Sequence, residues 1–107
     1  MNDCIFCKIV KKEIPADIFY EDQNLVVFKD IKPKAPIHYL VVPKQHIESV
    51  NHLEEENKDL IGLMFLTAKK IADKLGLKDK GYKLIFNVGR GGGQIIDHLH
   101  LHILGGW

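Results

Sequence analysis

The 107-residue chain has little cysteine, proline or tryptophan: two Cys, four Pro and a single Trp. Cys4 and Cys7 form one Cys-x-x-Cys pair near the start. In a reducing compartment such a pair does not keep a stable disulfide, which leaves metal ligation, redox chemistry or two ordinary thiols. No sign of charge dominates, since 15 Lys+Arg face 14 Asp+Glu for a net charge of +1. That balance gives no footing to a nucleic-acid duplex or a membrane surface as main partner. Apolar runs of bilayer-spanning length are lacking, and the polar MNDC opening is unlike a secretory signal, so a cytoplasmic protein is expected. Repeats, low-complexity tracts and linkers are lacking too. Residues 1–107 therefore read as a single domain with one modest core.

What is there is regular patterning. After Cys4-Ile-Phe-Cys7 the sequence suggests a short helix or turn near 5–10, then a strand near 17–21. LVVFKDI (25–31) and HYLVVP (38–43) are β-branched runs bounded by turn residues, and read as strands. KPKAP (32–36), with two prolines in five residues, does not form regular structure. One long helical pattern runs from about 53 to 75, where Leu60, Met64, Ala68, Ile71, Ala72 and Leu75 recur at helical spacing. Ile61 and Phe65 widen that stripe, and Gly76 is a natural stop. YKLIFNV (82–88) and residues 97–104 complete the strands, with GRGGG (89–93) between them. The order β-β-β-α-β-β predicts an α+β domain: a five-stranded antiparallel sheet with one main helix and a short second helix. Such a sheet can leave one face wet.

The segment HLHLHIL (98–104) alternates three histidines with three aliphatics. On a strand, His98, His100 and His102 point one way and Leu99, Leu101 and Ile103 the other. Rings two residues apart on a strand stand about 6–7 Å apart, and a tetrahedral zinc holds nitrogens at about 2.0–2.1 Å. One ion cannot serve all three, so the histidines divide among tasks. Cys-x-x-Cys supplies half of a Cys₂His₂ zinc site that two distant histidines would complete. A thioredoxin-like use needs a strand before the motif, and three residues cannot provide it. The glycine-rich NVGRGGGQ matches neither the Walker nor the dinucleotide pattern. It is either a flexible hairpin or a nest of backbone N–H groups for an anion beside the histidines.

HLHLHIL fits the His-φ-His-φ-His-φ-φ signature, where φ is hydrophobic, and resembles the histidine triad superfamily. IFCKIVKKEIPA, FKDIKPKAPIHYLVVPKQH and NVGRGGGQ…HLHLHILGG look like its Hint branch in order and spacing. The resemblance implies that His100 attacks the α-phosphate of a nucleotide, giving a covalent nucleotidyl-histidine that water hydrolyses. It implies that His102 donates to the phosphate or helps the leaving group, and that His38 is a further active-site histidine. Asn87, Gly93 and Gln94 match phosphate- and leaving-group-binding positions, and Asp30 matches the ribose ligand. Phe6, Ile9, Ile14, Phe28 and Ile31 match the apolar wall around a purine base. Cys4, Cys7, His46 and His98 match the ligands of a structural zinc in relatives with this Cys-x-x-Cys, and the chemical step needs no metal.

The implied activity is cleavage of purine nucleoside 5′-phosphoramidates or acyl-nucleotides by a homodimer. A dinucleoside polyphosphate hydrolase is the nearer rival, and a nucleotide- or zinc-binding module with little turnover the more distant one. Three departures bear on specificity: Ile95 where many relatives have a small hydroxyl residue, Asp97 where an aromatic is common, and an end at Trp107.

Overall fold

In the computed structural model, which describes residues 3–107, five antiparallel strands form one sheet in the order β1-β2-β3-β5-β4. The strands are β1 (Ile18–Glu21), β2 (Leu25–Lys29), β3 (Ile37–Pro43), β4 (Tyr82–Ile85) and β5 (Leu101–Gly105). The short helix α1 (Ile5–Val10) precedes the sheet, and α2 (Lys58–Lys74) links β3 to β4. The expected α+β architecture is therefore what forms.

Alternation along the strands builds two cores, one on each face. Leu25, Val27, Val41, Leu101 and Ile103 meet Met64, Ala68, Ile71 and Ala72 of α2. Full burial of a side chain such as Met64 or Ile71 contributes about 1.5–3 kcal/mol. Val26, Phe28, Leu40 and Val42 meet Phe6 and Ile9 of α1 on the opposite face. The histidine-bearing face was expected to be wet. Instead α1 covers it, and His98 and His100 are buried.

The structure departs from the sequence reading at the start of α2, in the packing of Phe65 and in the extent of the strands, β2 and β4 ending at Lys29 and Ile85 rather than 31 and 88. The helical pattern begins at 53, yet two 3₁₀ turns, Val50–His52 and Glu55–Asn57, come before α2. Ser49 caps the first by accepting from the Asn51 N–H, and Glu54 and Asn57 cap one another reciprocally at the second. Phe65 leaves the predicted stripe: it is 41% exposed and meets Phe86 edge-on. The strand expected over 97–104 begins only at Leu101. The Leu99 N–H instead donates to the Ile47 carbonyl at 2.6 Å, which ties this stretch to the segment after β3.

That segment, the bend at 96–98 and α1 converge at one end of the sheet. Gly105, at the far end of β5, lies so close to Leu77 that a Cβ there would stand 2.9 Å from Leu77 Cδ1.

Candidate active site

Of the three histidines, only His102 lies in a strand, and each takes a different set of partners. The His100 Nδ1–H donates to the His98 backbone carbonyl at 2.6 Å. This fixes the tautomer, so Nε2 carries a lone pair. The edge of Phe6 holds the ring from α1, with centroids 5.1 Å apart. Burial pushes the His100 pKa below its ordinary value, so the ring is neutral at neutral pH.

A second tautomer chain starts in the proline-rich loop. The Lys34 backbone N–H donates to His38 Nδ1 at 2.9 Å, so His38 must carry its proton on Nε2. That Nε2–H donates to His102 Nδ1 at 2.9 Å, which in turn puts the His102 proton on Nε2; Asn87 Nδ2 lies 3.4 Å away, and as both are donors they do not bond each other. Asp30 Oδ2 lies 3.4 Å from His38 Nε2, and Asp30 Oδ1 accepts the Lys32 N–H. Burial, then repulsion by His100 and His38, pushes His102 down to about 4. Burial also lowers His38, with Asp30 opposing. Asp30, His38 and His102 stand close enough to share a cation. The Lys34 N–H argues against that use, because a metal on His38 Nε2 would force a proton onto Nδ1 against another donor.

The other cluster is wired the opposite way. His98 Nε2–H donates to the Pro43 carbonyl at 2.8 Å, which leaves the Nδ1 lone pair facing Cys4, Cys7 and His46. Nδ1 of His98 is 3.2 Å from Cys4 Sγ, 3.5 Å from Cys7 Sγ and 3.0 Å from His46 Nδ1. Cys7 Sγ is 3.2 Å from His46 Nδ1. Ligands at about 2.0–2.3 Å from a tetrahedral ion stand about 3.3–3.8 Å apart, so this set fits one ion after minor expansion. An orienting carbonyl on the far ring nitrogen is the usual support of a metal-binding histidine. Burial pushes His98 down to about 4 and raises the Cys4 thiol; a bound cation would act with burial on the histidine and against it on the thiol. These four residues lie close enough to hold a metal ion.

The glycine loop closes on itself. The N–H groups of Gly92, Gly93 and Gln94 donate to the carbonyls of Gly89, Arg90 and Gly89, and the Gly89 N–H donates to Gln94 Oε1. Those four N–H groups are satisfied within the loop, which favours the hairpin alternative over a nest built on them. Buried Gln94 donates through Nε2 to the carbonyls of Glu48 and Ile96. Arg90 grips Asp97 with both guanidinium ends, at 2.9 and 3.0 Å, and also donates to the Gln94 carbonyl. Gly93, at φ 90°, leaves room beside Asn87: a Cβ there would stand 3.8 Å from Asn87 Cγ.

A family model described as scavenger mRNA decapping enzyme C-term binding matches residues 3–106. A HIT family hydrolase from Legionella pneumophila Philadelphia 1 superposes with a TM-score of 0.97 at 47% identity, over 98% of this chain and 94% of that one. The chain belongs to the histidine triad family. A HIT family hydrolase from Clostridium thermocellum superposes at TM-score 0.96 with 45% identity, covering 100% of this chain and 93% of that one. Protein HitA of Neisseria gonorrhoeae is 51% identical over 105 residues, 98% of this chain and 97% of that one.

Within this histidine triad chain the residues singled out by sequence separate into groups. His38, Asn87 and His102 come together with Asp30, and His100 lies beside them, its ring centroid 4.9 Å from that of His102. Cys4, Cys7, His46 and His98 form the cage. Phe6, Ile9 and Phe28 are buried in the smaller core with Ile14 against them, whereas Ile31 is 87% exposed. Sequence reasoning missed the Lys34 N–H and the carbonyls of Pro43 and Glu48, for which side-chain identity offers no signal. It also missed that Asp97, noted as a departure, is the partner of Arg90.

Proposed function

We propose that this protein hydrolyses purine nucleoside 5′-phosphoramidates or acyl-nucleotides through a covalent nucleotidyl-histidine on His100. The observation that carries the reading is the His100 Nδ1–H to His98 carbonyl bond at 2.6 Å, which presents Nε2 as a neutral nucleophile. In the first step Nε2 forms a bond to the α-phosphorus and the bond to the leaving amine or carboxylate breaks. A leaving amine takes a proton from water, and a carboxylate leaves as the anion. The substituted ring keeps its Nδ1–H on the His98 carbonyl, which steadies the positive charge. In the second step water bonds to phosphorus, the N–P bond breaks, and the water's proton passes to solvent.

The His102 Nε2–H, held by the His38 relay, and the Asn87 amide are donors for the phosphoryl oxygens, where charge shifts in the transition state. Gly93 and Gln94 act by shaping the loop behind Asn87. Asp30 accepts the ribose hydroxyls, and Ile31 offers apolar surface to the base, with Phe6, Ile9, Ile14 and Phe28 forming the wall beneath. The family relatives named as hydrolases support the reaction class. The Cys4, Cys7, His46 and His98 set suits a structural zinc, with four protein ligands and no open position. A homodimer in the cytoplasm completes the proposal. No helix of the described residues is long and apolar enough to cross a membrane.

Intact-mass analysis with a slow phosphoramidate substrate tests the mechanism. Wild type should gain one nucleoside monophosphate, and His100→Ala should not. Undiminished hydrolysis by His100→Ala with no adduct in wild type would falsify the covalent route. Faster turnover of diadenosine tetraphosphate than of an aminoacyl-adenylate would overturn the substrate class.

A further inference from the structure

His98 is used at both of its ends. Its ring nitrogen Nδ1 belongs to the Cys₂His₂ cage, 3.2 Å from Cys4 Sγ and 3.0 Å from His46 Nδ1. Its backbone carbonyl accepts the His100 Nδ1–H. Residue 98 precedes β5, so no sheet ladder fixes the direction of that carbonyl. What holds it is the anchored ring, through Pro43 and the cage, and the Leu99 N–H to Ile47 carbonyl bond, made by the other side of the same planar peptide group.

The cage is also reachable. A cleft of about 360 Å³ opens onto Cys4 and His46, and the carboxylates of Asp3, Glu48 and Asp97 line it. His46 itself is exposed. Asp97 is neutralised by Arg90, which leaves Asp3 and Glu48 as the carboxylates that attract a divalent cation to this mouth. The cleft gives solvent access to two of the four cage residues.

We propose that His98 is a positioning residue through which metal occupancy of the cage sets the tautomer and aim of the His100 ring. The inference rests on the metal reading of the cage given above. With an ion bound, the His98 ring cannot turn, its carbonyl stays fixed, and His100 keeps its proton on Nδ1. Without the ion, the imidazoles and thiols of the cage are free to hydrogen-bond in other arrangements. The carbonyl then keeps only the Pro43 and Leu99–Ile47 bonds, its aim loosens, and His100 samples both tautomers, only one of which presents a lone pair on Nε2. The cage thus acts on catalysis without touching substrate, and chelation of the metal lowers activity in a chain that remains folded.

The test uses ¹⁵N-histidine-labelled protein, metal-loaded and then stripped by chelator at constant pH, with metal counted by mass spectrometry. Long-range ¹H–¹⁵N correlation reads the His100 ring, assigned by its loss in His100→Ala. The expected result is one metal per chain and a single Nδ1–H tautomer when loaded. On stripping, mixed tautomers should appear while α2 signals stay in place. Phosphoramidate kcat should fall by about tenfold or more, as for other outer-shell supports, and zinc should restore it. KM should move by less than about twofold, since the effect lies on the chemical step. Should the stripped chain unfold, exchange of zinc for the larger cadmium ion supplies the second measurement. It should shift the His100 ring nitrogens and kcat in a protein that stays folded. A chain that binds no metal overturns the metal reading and this inference with it. A chain that binds metal, yet shows the same His100 ring signals on stripping or cadmium exchange, overturns the inference alone.

Discussion

In His38 the choice of proton position is made by a backbone group, the Lys34 N–H, and everything downstream to His102 follows from it. The side chain of Lys34 has no part in that bond. Lys34→Ala should therefore leave kcat close to wild type, whereas Lys34→Pro, which deletes the N–H, should lower kcat by about tenfold, equivalent to about 1.4 kcal/mol. Steady-state kinetics on both variants check this, and equal rates would sink the relay. His102 carries a pH consequence. Its pKa is about 4 when folded, chiefly through burial, against about 6.5 for an unfolded histidine. Between those values the unfolded chain binds more protons than the folded one, so acid favours unfolding. This contribution to stability is complete above pH 6.5 and is lost as pH falls toward 4. His38, also lowered, acts with the same sign. The urea midpoint should decline from pH 7 to pH 5, and His102→Phe should flatten the decline. A wild-type midpoint constant over that range would refute the burial argument.

Among the elements, α2 was legible because one strong helical period covers it, and the strands β2 and β3 because they are β-branched apolar runs bounded by turn residues, buried on both faces. Phe65 misled because helical spacing places it at the border of the stripe, where a ring can turn to meet Phe86 instead of the core. The overlong final strand misled for a different reason. Alternation from 98 to 104 does sort histidines from aliphatics, as burial of Leu99, Leu101 and Ile103 in the larger core shows. Side-chain alternation, however, does not reveal where backbone pairing stops, and residues 98–100 bond to other segments. That Cys4, Cys7, His46 and His98 come together was legible from Cys-x-x-Cys and the family resemblance jointly, since no spacing rule links residues 4, 46 and 98. The loop's dependence on Gln94 was not legible, because a buried glutamine looks the same in sequence whether it meets a phosphate or a carbonyl. In Gln94→Ala the Gly89 N–H and the Glu48 and Ile96 carbonyls each lose a partner. The expected outcome is faster hydrogen exchange confined to residues 89–94, with α2 unaffected. Unchanged exchange there would show that the loop is held by other contacts.

At the scale of the whole molecule, one side remains without cover. β4 is an edge strand, and an edge offers unpaired backbone groups that another chain can meet. Beside it, Ile85 is 37% exposed, and on α2 Phe65 and Leu66 are 41% and 58% exposed. The Phe65 and Phe86 rings, 5.8 Å apart, link helix to sheet across this side. The opposite edge, β1, also exposes an aromatic, Phe19 at 41%, but lies across the sheet from the Phe65–Phe86 pair, and Glu21 there pairs with Lys12 and Lys44, charge of a kind that discourages edge pairing. Apolar surface and an open edge therefore coincide on the α2–β4 side, which is where a second copy would bind. The chain should sediment at twice its 12.2 kDa mass. Phe65→Lys places a charge at the centre of the apolar surface, and because Phe65 is outside the buried core, the monomer should still fold. Analytical ultracentrifugation of that variant is expected to show a monomer with wild-type circular dichroism. A dimer that survives both Phe65→Lys and Leu66→Lys would assign the interface to another face, the acidic cleft beside the cage being the next to test.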